Sequence, residues 1–324
     1  MKYYILKCKD YVIYRLMIAL QGISYRLFHG LGKIHGGSVW ADRMYLRMLF
    51  RLRMHTKLHL DPPQTFNEKL QWLKLYDHKP EYTQMADKYE MKSYVSSKIG
   101  EGYTVPVLGV WEHFDEIDFD SLPDQFVLKC THNSGGVVIC RDKKQFNRKK
   151  ARKKIEQGLK KNYYYNSLEW PYRDIKPRIL AEQYMVDESG YELKDYKLMC
   201  FNGKVRCTFA CSQRGSRDGL CINTYDRDWN PMSFGREKVR NSEELPKPSC
   251  YDRMVELAEI LSDGIPFIRV DFYQINGKPY IGELTFFPAS GMKRFDPESW
   301  DTIMGDWLQL PTFERSENKP SVKY

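Results

Sequence analysis

The chain has 324 residues, enough for two or three lobes around a sizeable core, and its 42% apolar and 29% charged residues are the balance of a soluble globular protein. A formal net charge of +9 points to a polyanionic partner, whether nucleotide, acidic polymer or anionic membrane surface. Eight scattered cysteines without a Cys-x-x-Cys pair read as buried thiols rather than a zinc site, and with no signal peptide they place the chain in a reducing cytoplasm.

Residues 1–61 read as a basic helical extension. Up to residue 60 only Asp10 and Asp42 stand against eleven Lys and Arg. Tyr11 to Leu31 is the most apolar stretch, but Arg15, Gln21 and Arg26 interrupt it, so no transmembrane helix is expected. Met44, Met48, Leu49 and Leu52 have helical spacing. Such a stripe packs on its own protein or lies on the inner face of a membrane, and both readings stay open for residues 1–60.

Asp61-Pro62-Pro63 breaks the chain. Thr65 predicts a helix start, with Glu68 as its capping-box partner and Leu70, Leu73 and Leu75 facing a core. A second helix follows Asp87-Lys88-Tyr89 and ends at Gly100. Tyr103 to Val110 reads as a strand. Phe126 to Lys129 and Val137 to Cys140 read as strands around the small, polar turn Thr131 to Gly136, whose backbone amides can cradle a phosphate or merely close a hairpin. No Walker loop is present. Asn147 to Asn162 reads as a surface helix, buried on Ala151, Ile155 and Leu159 and basic elsewhere.

Strands are expected at Ile179 to Met185, Leu193 to Phe201 and Val205 to Cys211, the last two around an Asn202-Gly203-Lys204 turn. After a helix at Asp252 to Ser262 comes a hairpin, Phe267 to Tyr273 and Tyr280 to Phe286 around Asn276-Gly277-Lys278-Pro279. Period-two alternation puts Arg269 with Asp271 on one face, and Glu283 with Thr285 on one face. Two carboxylates on adjacent strands suit a hard divalent cation, or an ordinary salt-bridged hairpin.

The order of these signals carries more weight than any one. Lys88, Lys129 before Ser-Gly-Gly, Glu182, Asp195-x-Lys197, Arg269-x-Asp271 and Glu283-x-Thr285 together resemble the ATP-grasp superfamily. Thr65-Phe-Asn-Glu-Lys-Leu-Gln-Trp-Leu-Lys-Leu, Asp87-Lys-Tyr, Phe126-Val-Leu-Lys, Asp195-Tyr-Lys, Arg269-Val-Asp-Phe-Tyr and Gly282-Glu-Leu-Thr-Phe resemble more closely the TupA-like ATP-grasp proteins linked to cell-surface polysaccharide biosynthesis. The likeness runs from about Pro62 to Leu310. It implies an α+β fold in which two lobes with antiparallel sheets clamp ATP. Residues 62–181 would be the N-terminal lobe, with a phosphate-loop subdomain from about 123, residues 182–311 the C-terminal lobe, and 312–324 a polar tail.

The resemblance also implies ATP and Mg²⁺ as cofactors and a carboxylate–amine ligase that works through an acyl phosphate. Lys88, Lys129 and the loop Asn133, Ser134, Gly135 and Gly136 would contact phosphates. Glu182, with Tyr184 and Met185, would hold adenine, and Asp195 the ribose. Lys197 and Arg269 would meet phosphate and transferring-group charge, with Lys129, Lys197 and Arg269 as the catalytic set. Asp271 and Glu283 would hold Mg²⁺, beside Thr285 where related ligases carry Asn. Arg214, Arg217, Asn223, Ser290 and Gly291 are the candidates for an acidic small-molecule or glycan acceptor; nucleic acid is not expected. A competing reading is a nucleotide-sugar glycosyltransferase, from the Asp226-Arg-Asp228 and Asp118-Phe-Asp120 pairs. A third is a non-catalytic nucleotide-binding or membrane-scaffolding protein.

Overall fold

The computed structural model describes residues 39–214, 219–236, 239, 241 and 243–312. Residues 1–38, the tail from 313 and Arg217 lie outside the described residues.

Helix α1 (Val39–Met54) buries Tyr45, Leu46, Leu49, Phe50 and Met54. They pack with Leu58, Leu60, Leu75, Tyr164, Leu168 and Met292 of the chain itself. The buried stripe lies about one residue round from the one expected, for Met44 is exposed. The bulkier Tyr45 and Phe50 take the inward positions. This part of the extension spends its apolar face on its own protein.

Helix α2 (Phe66–Tyr76) starts where the sequence says. The Glu68 backbone donates to Thr65 Oγ1, and the Thr65 backbone donates to Glu68 Oε2. Leu70, Leu73 and Leu75 are buried. Helix α3 (Glu81–Ala86) was not foreseen. Helix α4 (Glu90–Ile99) stops at Gly100, whose φ of 83° favours glycine.

The first sheet holds β1 (Val107–Trp111), β2 (Phe126–Cys130), β3 (Val137–Cys140) and β4 (Ile179–Gln183), all antiparallel, in the order β1-β4-β2-β3. Helix α5 (Arg148–Leu159) covers one face through Ala151 and Ile155, which cluster with Leu128, Ile179 and Ala181. The expected lobe boundary at 181/182 falls inside β4. Helix α6 (Tyr164–Ser167) follows α5.

The second sheet holds β5 (Asp195–Phe201), β6 (Lys204–Ser212), β7 (Cys221–Asp226), β9 (Phe267–Ile275) and β10 (Lys278–Thr285), in the order β10-β9-β5-β6-β7. Helix α7 (Tyr251–Leu261) packs on one face. The short ladder of β8 (Gly235–Arg236) with β11 (Phe295–Asp296), and helix α8 (Ser299–Trp307), complete the unit. Phe66 of α2 packs against Phe201 and Phe267. Helices α2 to α4 thus share the core of the second sheet rather than the first, although they precede the first in the chain. The seven described cysteines are buried and free.

Candidate active site

The β9–β10 hairpin turns at Asn276 and Gly277, both with positive φ, 51° and 71°. Asn-Gly is the residue pair that tolerates such a turn. From Ile275 opposite Lys278 the ladder runs regularly to Phe272 opposite Ile281. Continued unbroken, it would set Glu283 opposite Val270 and turn the carboxylate toward the apolar core. Instead the register slips by one at Gly282, so Glu283 pairs with Asp271 and Thr285 with Arg269. A Cβ on Gly282 would stand 2.6 Å from the Tyr273 ring, so only glycine fits the bulge.

One face of the second sheet then carries a ladder of alternating charge. Arg269 donates twice to Asp271, at 2.6 and 2.7 Å, and to Thr285 Oγ1 at 3.1 Å. Lys197, on the neighbouring strand opposite Asp271, pairs with it and with Asp195 at 2.6 Å. Arg214 reaches Asp195 from outside at 3.1 Å. Burial alone would lower Arg269 and Lys197; the Asp271 and Asp195 carboxylates reverse that and leave both raised. Asp195 Oδ1 is buried without a partner.

The first sheet offers a second cluster. Glu182 on β4 lies between Lys129 on β2 and Lys92 on α4, the latter at 2.7 Å. Burial would raise Glu182, but the two ammonium groups hold it below its ordinary range. Lys129 and Glu182 share the sheet face opposite α5, because Lys129 pairs with Leu180, two residues from Glu182.

Lys88 bridges the β2–β3 turn of the first sheet and the charge ladder of the second. Its ammonium donates to the Asn133 carbonyl at 2.9 Å and to Glu283 at 3.2 Å. Burial would raise Glu283; Lys88, Arg269 and Lys197 bring it down to about 2. The Tyr273 phenol is pushed well up by burial and then by Asp195, Asp271, Glu182 and Glu283, so acids from both sheets surround one ring. Lys88 itself is fixed from behind. Its backbone donates to Thr131, Asp87 caps α4 through the Tyr89 and Glu90 amides, and Arg178 pairs with Asp87 at 2.9 Å.

The Thr131–Gly136 turn is half anchored. Thr131, His132 and Asn133 are buried, while Ser134 and Gly135 are exposed. His132 Nε2 donates to the Lys161 carbonyl and Asn133 Nδ2 to the Gly158 carbonyl. His132 therefore ties the turn to the end of α5. A Cβ on Gly136 would sit 2.8 Å from Asn133 Oδ1, whereas Gly135 has φ 89° and open space around it.

Other expected residues fall elsewhere. Tyr184 and Met185 are half-buried in the segment linking the sheets. Asn223 projects from the opposite face of the second sheet and donates to the Glu243 carbonyl. Ser290 is turned inward: its hydroxyl donates to Glu169 at 2.7 Å, and its carbonyl accepts from Lys74 and Gln71. Gly291 is equally enclosed, its carbonyl accepting from Gln71. Glu169 carries no motif, and Lys74, although inside the Thr65 to Leu75 phrase, was given no role there. Lys92 could have been found, as it lies four residues after Lys88. The Asp226 carboxylate accepts from Asp228, Asn230 and its side chain, so that Asp-x-Asp closes a turn. Asp118 likewise caps Asp120.

Among the described residues no group of three His, Cys, Asp or Glu could hold a metal ion. Asp271 and Glu283 give two cross-strand carboxylates, with the Thr285 hydroxyl on the same face. This hard-oxygen set fits Mg²⁺, which takes one or two carboxylates and completes its octahedron with phosphate and water. Counted together, Lys88, Lys92, Lys129, Lys197, Arg214 and Arg269 outnumber Glu182, Asp195, Asp271 and Glu283, so the cluster keeps the sign that attracts an anion.

Residues 68–309 match the family model described as TupA-like ATPgrasp. A comparison with curated proteins gives no match. Among solved structures, the chain is similar to a D-alanine–D-alanine ligase from Bacillus anthracis complexed with ATP, at 15% identity and TM-score 0.37, covering 69% of this chain and 59% of that one. It is also similar to an L-amino acid ligase from Bacillus licheniformis, at 13% identity and TM-score 0.44, covering 78% and 54%. The chain thus spans less than two thirds of either protein, and overlaps this loose transfer no property.

Proposed function

The chain belongs to the TupA-like ATP-grasp family, and from that premise we propose that it is an ATP- and Mg²⁺-dependent carboxylate–amine ligase of cell-surface polysaccharide biosynthesis. Its acceptor is a uronic acid or acidic peptide and its amine an amino acid or amino sugar. An acceptor carboxylate oxygen attacks the γ-phosphorus of ATP; the bond to the bridging oxygen breaks and ADP leaves. The amine then attacks the acyl carbon, the carbon–oxygen bond breaks, phosphate leaves with the electron pair, and the amine proton passes to solvent.

Phosphoryl transfer needs positioning and charge neutralisation more than covalent help. The observation that carries the reading is the Lys88 ammonium, which touches both the turn at Asn133 and the carboxylate at Glu283. In this reading Lys88, Lys129 and the Asn133–Gly136 turn hold phosphates. Glu182, Tyr184 and Met185 face adenine. The orphaned Asp195 Oδ1 is a buried acceptor suited to a ribose hydroxyl. Asp271 and Glu283 would hold Mg²⁺, which supplies neutralising charge on the phosphates. Thr285, already accepting from Arg269, keeps that guanidinium aimed at the transferring group. Arg214 remains the acceptor candidate at the open end of the ladder.

The test is nucleotide turnover with a panel of uronic acids, acidic peptides and amines. ADP and phosphate released only with a matched pair, together with an amide product by mass spectrometry, supports the reading. No turnover with any pair, and Asp271→Asn leaving ATP binding and its Mg²⁺ dependence unchanged, overturns it.

A further inference from the structure

Residues 141–161 carry eleven Lys and Arg against Asp142 and Glu156, a surplus equal to the +9 of the entire chain. Residues 1–60 carry an equal surplus and elsewhere acids outnumber bases, so α5 and its flanks are a dense basic patch within the described part of the chain. Arg148 and Arg152 are partly neutralised by Asp120, Asp115 and Glu156. Lys149, Lys150, Lys153, Lys154, Lys160 and Lys161 are exposed, and no ion pair reaches them among the described residues. Fold stability does not account for them. The first turn of α5 holds no acid and three cations, Arg148, Lys149 and Lys150, at the helix end whose dipole repels positive charge.

We propose that this face of α5 docks the protein on an anionic lipid bilayer. Flexible lysines act as point charges and lack the planar fork that reads one carboxylate or phosphate, so they suit a surface of diffuse negative charge. The apolar side of the helix is already used, with Ala151, Ile155 and Gly158 buried against the first sheet. Docking is therefore electrostatic and shallow, without insertion. Because α5 lies on the face of the first sheet opposite Lys129 and Glu182, a docked molecule keeps its cleft open to solution. No described helix is long and apolar enough to cross a membrane.

The full-length protein is sedimented with vesicles of phosphatidylcholine alone and of phosphatidylcholine with about 30 mol % phosphatidylglycerol. At least ~10-fold more protein is expected on the anionic vesicles, lost when salt is raised to ~0.5 M. The variant Lys149→Glu/Lys150→Glu/Lys153→Glu/Lys154→Glu should lose that binding while keeping its circular dichroism and thermal midpoint. Placing acids in the first turn favours the helix, so loss of binding through unfolding is not expected, and the two fold readouts check it. Unchanged vesicle binding by the folded variant overturns the proposal and moves the contact elsewhere in the chain. Wild-type binding to soluble polygalacturonate but not to anionic vesicles overturns it in favour of an acidic polymer.

Discussion

Two hairpins meet at the cleft and hold their groups in opposite ways. In β9–β10 the proposed metal ligands are side chains, and their placement depends on strand register. The one-residue slip at Gly282 sets Glu283 opposite Asp271. In β2–β3 the proposed phosphate contacts are backbone groups of a turn whose first half is anchored and whose tip, Ser134 and Gly135, is exposed. A carboxylate pair for a small octahedral ion must be fixed in advance. A phosphate cradle must open to admit its ligand. The difference teaches where each kind of substitution will act: on geometry in the first hairpin, on affinity in the second.

The largest effect is expected at the register-fixed hairpin. Asp271→Asn takes the bidentate carboxylate from Arg269 and leaves Lys197 only Asp195 in a buried site, so stability should fall by about 3–5 kcal/mol in urea denaturation. ATP turnover should fall by roughly 100-fold or more. Unchanged turnover would show that the charge ladder is structural only.

Gly282→Ala comes next. Its new methyl meets the Tyr273 ring, and the strain should cost about 1–3 kcal/mol. If the bulge is driven out, Glu283 turns toward the core, and the Mg²⁺ concentration needed for half activity should rise. Gly135→Ala meets no atom but must adopt a positive φ, so its cost should be about 1 kcal/mol, seen as a weaker ATP KM with the Mg²⁺ requirement unmoved. Equal effects of the two alanines on Mg²⁺ dependence would erase the distinction between the hairpins.

A gentler probe is pH. Glu283 has its folded-state pKa depressed to about 2, so its contribution to stability is present above the unfolded-chain value of ~4.3 and is lost as pH falls from there toward 2. Lys88→Met removes the first of the cations responsible. The acid limb of the stability curve should then shift to higher pH, measured by denaturation between pH 2 and 6. A limb that stays in place would mean that Arg269 and Lys197 alone hold the carboxylate. The smallest effect is expected for Ser134→Ala at the exposed tip, a rise in ATP KM of roughly 2- to 5-fold with stability unchanged.

Much of this was legible because local chemistry and fold agree. Thr65 and Glu68 form the capping box their spacing announces, and Asn276-Gly277 makes the turn such a pair makes. Both depend on neighbours in the chain. The convergence of Arg269, Asp271 and Glu283 was anticipated from alternation, yet alternation counted from the turn would have sent Glu283 the wrong way. Only the bulge rescues it, and a single glycine does not announce a bulge. The burial of Lys74 and Glu169 with Ser290 was equally hidden, since three distant segments must pack before those groups meet. Helix α1 shows a third limit: its stripe had the right period but the wrong phase, because neighbouring apolar residues offer several stripes and packing chooses among them.

One consequence follows from Lys88. Its ammonium holds the Glu283 carboxylate and the Asn133 carbonyl of the glycine turn at once. On the proposed function it is a built-in counter-ion for a carboxylate that would hold Mg²⁺. A divalent cation arriving alone would then have to displace that ammonium without offering it another anion, whereas one arriving with a triphosphate would bring the replacement along. The proposed function thereby has metal and nucleotide enter together, an ordering that would rest on a single side chain.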